Sequence, residues 1–330
     1  MSAAAERGAM IPVTREMRAF FAPVNRANEM PTIFDPAASG EFPLDAPPAP
    51  WVDLGWIENF ARWYETPNGV VRSGAKGFGN AQFRGPVTAR VEFDFCQWGK
   101  LQMALAGGSE HMNVLAGAAD GGMVGPSGGT PEGAVAVLAG STASELVVGT
   151  GVASAFAAGG LVAVDVDYQQ QVGYVGSGIA AAYVNDPQAV QRDPNYIRRV
   201  TFNVGRVAEV TANSIILSQP LLGGTPFAGA SVQKVIAFVD REGGSFFQEW
   251  SGLFVAGQES GGRVCFYFPR LSATTAEGKA KREEYSVIAK PLSVISLRAS
   301  FLALPVIDSN DGQGVLCYRS YFPALRAGAY

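Results

Sequence analysis

The sequence predicts a mainly β protein: an antiparallel β-sandwich or barrel with one short flanking helix. Three observations favour this fold class. The 330-residue chain holds 40 glycines and 20 prolines, too many for a helical bundle. Short apolar runs alternate with turn residues along much of the chain. Hydrophobic residues make up 48% and charged residues 16%, so the chain has enough apolar mass to bury a large core.

The N-terminal region has no sustained hydrophobic periodicity. It contains a proline- and alanine-rich segment from Phe34 to Pro50. We expect residues 1–50 to form an extended N-terminal arm, with at most a short helix near Arg15 to Phe21. The start from Met1 to Met10 lacks the apolar core of a secretory signal, which disfavours export by that route.

The clearest strand and the helix follow each other directly. From Val87 to Phe95, apolar residues alternate with polar ones, which is the pattern of a half-buried strand. From Trp98 to Leu105 the apolar residues have near-helical spacing, and the pair Gly107-Gly108 provides a stop. A short helix is therefore predicted after the strand.

The remainder of residues 51–330 is predicted to be one β domain with an insertion. Residues 106–160 are rich in alanine and glycine, and we expect a long loop there with one hairpin formed by 134–139 and 145–149. Further strands are expected at the short intervals of an antiparallel sandwich or barrel, in segments 161–168, 171–181, 197–210, 214–217, 232–239, 245–256, 263–270, 293–303 and 315–321.

Charge and histidine content disfavour several function classes. Lys plus Arg is 25 and Asp plus Glu is 29, and no block of basic residues occurs, so tight binding to nucleic-acid phosphates is not expected. His111 is the one histidine, which makes zinc sites and Ser-His-Asp triads hard to build. The uncharged stretch from Leu146 to Val164 is interrupted by glycines, so we expect no membrane insertion.

No other motif predicts a metal or cofactor site. The glycines at 149–151 and 173–178 lack the strand, loop and helix context of a phosphate loop, and turns explain them better. Asp308 to Gly312 lacks the closing glutamate of a calcium loop, so a plain turn is favoured over a cation site. The three cysteines lie in apolar or aromatic runs and indicate buried thiols rather than disulfides: Cys96, Cys265 and Cys317.

Two groups of residues are candidates for a functional surface. Tryptophans crowd the region before the first clear strand, where they could stack on sugars, anchor a neighbouring subunit or pack on this chain's own core. The segment from Arg241 to Trp250 predicts a hairpin with a charged turn. The candidate assembly residues are Trp51, Trp56, Trp63, Arg241, Glu242 and Trp250.

These patterns together indicate a self-assembling structural protein and not an enzyme. Two acid pairs, Asp165 with Asp167 and Glu92 with Asp94, could serve glycoside chemistry, but a solvent-facing strand produces the same spacing. No nucleophile and base accompany them. A β-rich chain with an arm and no catalytic set is expected to pair its edges with copies of itself.

The segment from Arg84 to Ser109, RGPVTARVEFDFCQWGKLQMALAGGS, resembles the strand and short helix of siphophage major tail tube proteins. Asp53 to Ile57, DLGWI, is similar to the opening of the first core strand in that family. Phe238 to Pro269 and Leu304 to Asp308 resemble its later strands. The likeness covers about 250 residues in the order of elements, although the alanine- and glycine-rich insertion does not align.

This resemblance implies a tail tube subunit located in the virion tail, and in the host cytoplasm before assembly. It implies hexameric rings that stack into a tube, with a tape measure protein, a tail terminator and transiently passing DNA as partners. Residues 45–51 and 106–160 would bridge neighbouring rings. The alternatives are another virion component, such as a capsid or baseplate protein, and a carbohydrate-binding or carbohydrate-active β-sandwich.

Overall fold

The structure is a computed structural model in which strands dominate, as the sequence predicts. It describes residues 17–24, 29–38, 42–48, 50–73, 78–97, 99–108, 110–115, 134–164, 171–174, 180–184, 203–241, 248–257, 262–274 and 297–322, with position 50 included. In chain order the elements are β1 (Met17–Pro23), β2 (Val52–Glu65), β3 (Asn68–Ser73), β4 (Phe78–Arg84), β5 (Thr88–Phe95), α1 (Lys100–Gly107), β6 (Glu110–Leu115), β7 (Val135–Ala136), β8 (Glu145–Val147), β9 (Leu161–Val164), β10 (Gln171–Tyr174), β11 (Ala180–Val184), β12 (Val204–Val210), β13 (Ser214–Leu217), β14 (Ser231–Arg241), β15 (Glu249–Gly257), β16 (Arg263–Ala273), β17 (Leu297–Leu304), β18 (Val306–Ile307), β19 (Gly314–Val315) and β20 (Tyr318–Phe322).

Six antiparallel strands close into a barrel. Their order around the wall is β15, β1, β2, β5, β17 and β16, and the pairing of β15 with β16 completes the ring. Strand β20 adds to the same edge of β16 that β17 uses, but further towards the start of β16. A closed ring leaves no free edge along the wall where its pairings are complete.

Phenylalanine side chains fill the interior of the barrel. Phe93 and Phe301 stack with their ring centroids 5.7 Å apart, and Phe21 and Phe254 meet edge to face at 5.8 Å. All four rings are fully buried, as is Phe268. Burying a phenylalanine side chain is worth about 2–3 kcal/mol. The barrel interior is therefore a packed core and not a pore.

The outer face of β1, β15 and β16 is also buried, because the described residues between positions 29 and 51 lie across it. We call this segment the strap. Its Phe34, Phe42 and Trp51 cover Phe20 of β1 and Tyr267 of β16. Strand β15 is consequently buried on both faces, and its residues 252–256 form an apolar run without alternation.

Polar bonds fix both ends of the strap. At one end, the Arg270 guanidinium donates to Glu29 at 3.1 Å and to Glu249 at 2.6 Å. At the other end, Arg18 donates to Asp45 at 2.7 Å. Between them, the Tyr267 hydroxyl donates to the backbone carbonyl of Thr32 at 2.8 Å. The strap is thus part of this chain's own barrel.

A second sheet has a core of its own. Its order is β6, β14, β9, β12, β13 and β8, and β7 also pairs with β14. The amide of Leu138, just after β7, donates to Val147 of β8 at 2.7 Å, so the sheet curls into a half-barrel. Its buried core comprises Val135, Val137, Leu146, Val148, Ala153, Phe156, Val162, Val164, Val207, Ile215, Leu217, Leu221, Ala230 and Val232.

Helix α1 connects the two sheets. Its Leu101 and Leu105 belong to the barrel core, and the helix ends where Gly108 adopts φ 61° and donates to the carbonyl of Ala104. At its start, Lys100 Nζ donates to Asn113 Oδ1 of β6 at 2.7 Å and lies 4.5 Å from the centroid of the Phe238 ring on β14. Burial lowers the pKa of Lys100 to about 7.

Several expectations for the chain were wrong. Residues 17–23 form a barrel strand and no helix, and the described part of 29–48 packs on the barrel instead of extending as an arm. The reason is double burial: β1 shows an unbroken apolar run because the interior covers one face and the strap covers the other.

The insertion is also larger than predicted. The described residues of 134–160 belong to the half-barrel, whose strands span β6 to β14 except β10 and β11, which form a separate two-stranded sheet. Residues 116–133 lie outside the described residues. The expected hairpin of 134–139 with 145–149 is partly present through the bond between Leu138 and Val147. The expected hairpin between Arg241 and Trp250 is wrong, because β14 and β15 lie in different sheets.

The crowded barrel interior predicts a strong effect of adding one methyl group at Gly252. A Cβ atom there would lie 2.5 Å from Leu271 Cδ1 and 3.3–3.4 Å from ring atoms of Phe254 and Phe21. We expect Gly252→Ala to lower the free energy of unfolding by about 1–3 kcal/mol. Chemical denaturation measures this. The matched control is Gly257→Ala on the same strand, where a Cβ atom meets no described atom within 4 Å; equal losses in both variants would contradict the packing.

The partly buried Lys100 predicts a pH-dependent contribution to stability. Its pKa is lowered in the folded state to about 7, so from pH 7 upwards the unfolded chain binds more protons and stability rises with pH. Relative to Lys100→Met, the wild type should gain about 1–2 kcal/mol between pH 7 and 8.5. Denaturant titrations of both proteins across this range provide the measurement. Parallel pH profiles for the two proteins would show that the folded state does not disfavour the charged lysine.

Candidate assembly surface

Two of the six candidate residues are core residues. Trp51 is 4% exposed and packs against Phe42 and Tyr267 with ring centroids 6.2 and 6.3 Å away. Trp250 is 3% exposed and lies 6.3 Å from the Phe21 ring inside the barrel. Neither side chain presents a surface to a partner. Of the three alternatives for the tryptophans, packing on the chain's own core is correct for these two.

Trp56 and Trp63 are surface residues of the same strand. Both lie on β2, where Trp56 is 45% and Trp63 is 51% exposed. The Arg18 guanidinium lies 5.8 Å from the Trp56 ring centroid, which fits a cation–π contact. This contact holds one face of Trp56 against the barrel. Trp63 is the more exposed of the two.

The remaining two candidates contribute no described side-chain contact. Arg241 is the last residue of β14 and pairs in register with Glu110 of β6. Glu242 lies outside the described residues. The strands that flank this segment, β14 and β15, lie in different sheets, so they do not form the charged hairpin that the sequence suggested.

Strand β2 contains two bulges, each tied to an aspartate and an arginine. At the first, Gly55 adopts φ 83° and its amide donates to Asp53 Oδ1 at 2.9 Å, while Arg18 donates to the same carboxylate. This bulge shifts the register with β1. A side chain at Gly55 would be strained by its φ, and a Cβ atom would lie 2.6 Å from Gln97 Oε1.

At the second bulge, Asn59 adopts φ 53° and the register with β5 shifts between Glu58 and Ala61. Asparagine tolerates the left-handed region better than most residues do. Its Nδ2 donates to Asp94 Oδ2 at 2.7 Å, and Arg298 Nε donates to Asp94 Oδ1 at 3.0 Å. Three neighbouring strands are joined by these two bonds.

Strand β2 changes its described partners beyond the second bulge. Before it, β2 pairs with both β1 and β5; after it, among the described strands, residues 61–65 pair with β5 alone. Trp63 is 51% and its neighbour Tyr64 is 65% exposed. Successive residues of a strand face opposite sides, so both faces of the strand are open to solvent here.

The two strands continue into a projecting ribbon. The Gly85 amide donates to the Pro67 carbonyl at 2.6 Å, which joins the pair of β2 and β5 to the hairpin of β3 and β4. We call residues 63–73 and 78–90 the ribbon. At about 3.3 Å per residue, the strand from 63 to 73 is up to roughly 35 Å long. Within the described part of the chain, β3 and β4 pair with each other only.

The ribbon and β20 expose backbone edges. Residues 61–65 of β2 have one edge that faces no described strand, and β20 pairs on one edge with β16 and has no described partner on the other. Unpaired amides and carbonyls at such edges can pair with a strand of another chain. The exposed Tyr321 lies on β20.

The acid pairs do not form a reaction centre in the described residues. Both carboxylate oxygens of Asp94 are engaged, by Asn59 and Arg298. Asp165 and Asp167 lie outside the described residues. The convergent aromatic platform of the carbohydrate alternative also loses Trp51 and Trp250, because both are buried.

Of the cysteines that the structure describes, Cys265 is buried and Cys317 is half-buried. Burial raises the pKa of Cys265 to about 12 and of Cys317 to about 11, which makes both thiols weak nucleophiles near neutral pH. Asp308 accepts hydrogen bonds from the Asn310 amide and from the Tyr318 hydroxyl in a turn.

Among the described residues, no group of side chains could hold a metal ion. No helix in this part of the chain is long and apolar enough to cross a membrane.

A shallow groove of ≈ 350 Å³ lies on the half-barrel, lined in part by Val204, Arg206 and Gln219. The Arg206 guanidinium donates to the carbonyl of Gly159 at 2.7 Å, so the one charged side chain of this lining is held by the chain itself. This arrangement does not define a ligand. The ribbon and the two free edges are the stronger candidate for a functional surface.

No protein-family model matches the chain. No curated protein matches it significantly.

Proposed function

We propose that this protein is a structural virion protein, the major tail tube subunit of a siphophage-type tail, and that it assembles with copies of itself. The observation that carries the proposal is the ribbon. It continues strands β2 and β5 of a closed barrel, residues 63–65 have no described partner on one edge, and Trp63 and Tyr64 are exposed on its opposite faces. Monomeric proteins rarely leave such edges and aromatic surfaces uncovered.

The barrel favours a repeating subunit. Apolar side chains fill its interior and leave no room for a ligand there, which suits a structural role. The free edge of β2 and the free edge of β20 differ from each other, and pairing between unlike edges generates rings or filaments. The resemblance of Arg84 to Ser109 to tail tube proteins, with six copies in a ring, fits this type of contact.

The contact between stacked rings is assigned to the ribbon in this proposal. The sequence suggested residues 45–51 and 106–160 for this role, but the strap residues Asp45 and Trp51 are held on the chain's own barrel. A ribbon up to roughly 35 Å long is able to reach a neighbouring ring. Tape measure and terminator proteins would contact the lumen and the end of the tube.

The charge of the chain is compatible with a conduit for DNA. The outward face of β5 has mixed charge, because Glu92 and Asp94 lie beside Arg90. Asp94 is also paired with Arg298, so this compatibility rests on the charge of the whole chain. The net charge is −4. A wall of this sign repels phosphates and keeps a duplex from adhering during passage.

The proposed assembly is tested directly by negative-stain electron microscopy over a series of protein concentrations. We expect stacked rings or hollow tubes wide enough for a DNA duplex above a threshold concentration. Uniform small particles at every concentration would contradict the proposal. In that case a glycan array would test the carbohydrate alternative, and sheets or shells would indicate another virion component.

The ribbon aromatics predict a specific assembly defect. The double variant Trp63→Ala, Tyr64→Ser should raise the threshold concentration at least tenfold, because aromatic anchors at an interface contribute about 2 kcal/mol or more each. Light scattering measures the threshold. Since both side chains are exposed, the midpoint of thermal unfolding should stay within about 3 °C of the wild type.

Phe227→Ser is the matched control for this variant. Phe227 is 58% exposed and lies on the loop before β14, away from the ribbon. Its replacement should leave the threshold unchanged. A threshold that is insensitive to the ribbon variant, or equally sensitive to both, would remove the ribbon aromatics from the interface.

A further inference from the structure

The second bulge of β2 lies where the described pairing with β1 ends, and it combines an extra residue with two side-chain bonds. Asn59 and Phe60 together oppose Phe93, so one extra residue sits in β2 at that position. Glycine commonly occupies the left-handed position of such a bulge, yet here it is an asparagine whose side chain is bonded to Asp94. Bulges bend a strand and increase its twist, and they often redirect or end pairing.

The ion pair at this bulge contributes little to the stability of the barrel. The Asp94 side chain is 8% exposed, but that of Arg298 is 60% exposed, so solvent screens their ion pair. Glu58 lies in register opposite Asp94, and like charges at such positions are unfavourable. An apolar or threonine pair would serve the sheet as well. Sites that depart from the most stable choice are often functional ones.

The location of the cluster formed by Asn59, Asp94 and Arg298 explains its presence. It lies between the part of β2 that belongs to the barrel and the part that belongs to the ribbon. Asp94 is on β5 and Arg298 is on β17, and both strands remain in the barrel wall. The carboxylate therefore connects the left-handed residue of β2 to the part of β5 that pairs with β17 and to β17 itself.

We infer that Asn59, Asp94 and Arg298 are positioning residues that fix the direction in which the ribbon leaves the barrel. Asn59 bends the strand, Asp94 holds the Asn59 side chain, and Arg298 holds Asp94. A ribbon fixed in one direction meets a second copy without first losing orientational freedom, and preorganised contacts bind more tightly. The role of this fixed direction in assembly rests on the proposed function, whereas the fixed direction itself does not.

The first test measures the direction of the ribbon in the dilute, unassembled full-length protein. Spin labels are attached through non-natural amino acids at positions 73 and 319, which leaves the native cysteines intact, and double electron–electron resonance gives the distance distribution between them. The variants are Asn59→Gly, which keeps the left-handed backbone without its side-chain bond, and Asp94→Ala. Both should broaden the distribution at least twofold.

The control is Glu92→Ala. Glu92 lies on the same face of β5, one outward-facing position from Asp94, and pairs in register with Ala61 and Ser300. It removes the same charge without touching the bulge, so the distribution should keep its wild-type width. Thermal unfolding is recorded for every variant, and Asn59→Gly keeps the test valid if Asp94→Ala does not fold. Wild-type widths in Asn59→Gly and Asp94→Ala would overturn the inference.

The second test measures assembly of the same variants. Asn59→Gly and Asp94→Ala should raise the threshold concentration at least tenfold at an unchanged unfolding temperature, and Glu92→Ala should not. Broader distances with an unchanged threshold would overturn the link between ribbon direction and assembly. A wild-type protein that never assembles would overturn the proposed function, while the distance measurement would still decide whether the cluster fixes the ribbon.

Discussion

The pairing of β15 with β16 is the contact on which the rest of the structure depends. It closes six strands around a phenylalanine core and thereby satisfies the backbone groups of the wall. In the barrel sheet, edges without a described partner then remain at the second half of β2 and along β20. Closure therefore leaves few positions in the barrel sheet at which a strand of another chain could pair.

Closure also determines the fate of the N-terminal segment. A barrel with an apolar outer face on β1, β15 and β16 has to be covered, and the strap does this with Phe34, Phe42 and Trp51. The ion pairs of Arg18 with Asp45 and of Arg270 with Glu29 hold its ends. Because the strap is committed to its own barrel, the ribbon is the described element that extends outwards.

The sequence predicted those parts of the fold that follow a local rule. Alternation identified β5, the glycine pair after α1 marked the end of the helix, and β13 was located at its correct bounds. Strand β2 escaped recognition as a full strand because the bulges at Gly55 and Asn59 break its period of two. Because β1 is buried on both faces, its apolar residues do not alternate with polar ones, and a short helix was predicted there instead.

The candidate surface was only partly accessible to sequence reasoning. Trp56 and Trp63 are exposed as expected, but nothing local distinguishes them from the buried Trp51 and Trp250. That distinction depends on which faces the strap and the barrel cover. The bond of Asp94 with Arg298 joins residues separated by 204 positions, and such pairings arise only from the closed topology.

Hydrogen–deuterium exchange of the ribbon, in dilute and in concentrated solution, tests the central claim most directly. In dilute protein, the outer-edge amides of 61–65 should exchange quickly while those of β15, paired on both edges, stay protected. On concentration, protection should appear at 61–65 and along β20. Outer-edge amides that are already protected in dilute monomer, or that stay unprotected in concentrated protein, would contradict assembly through these edges.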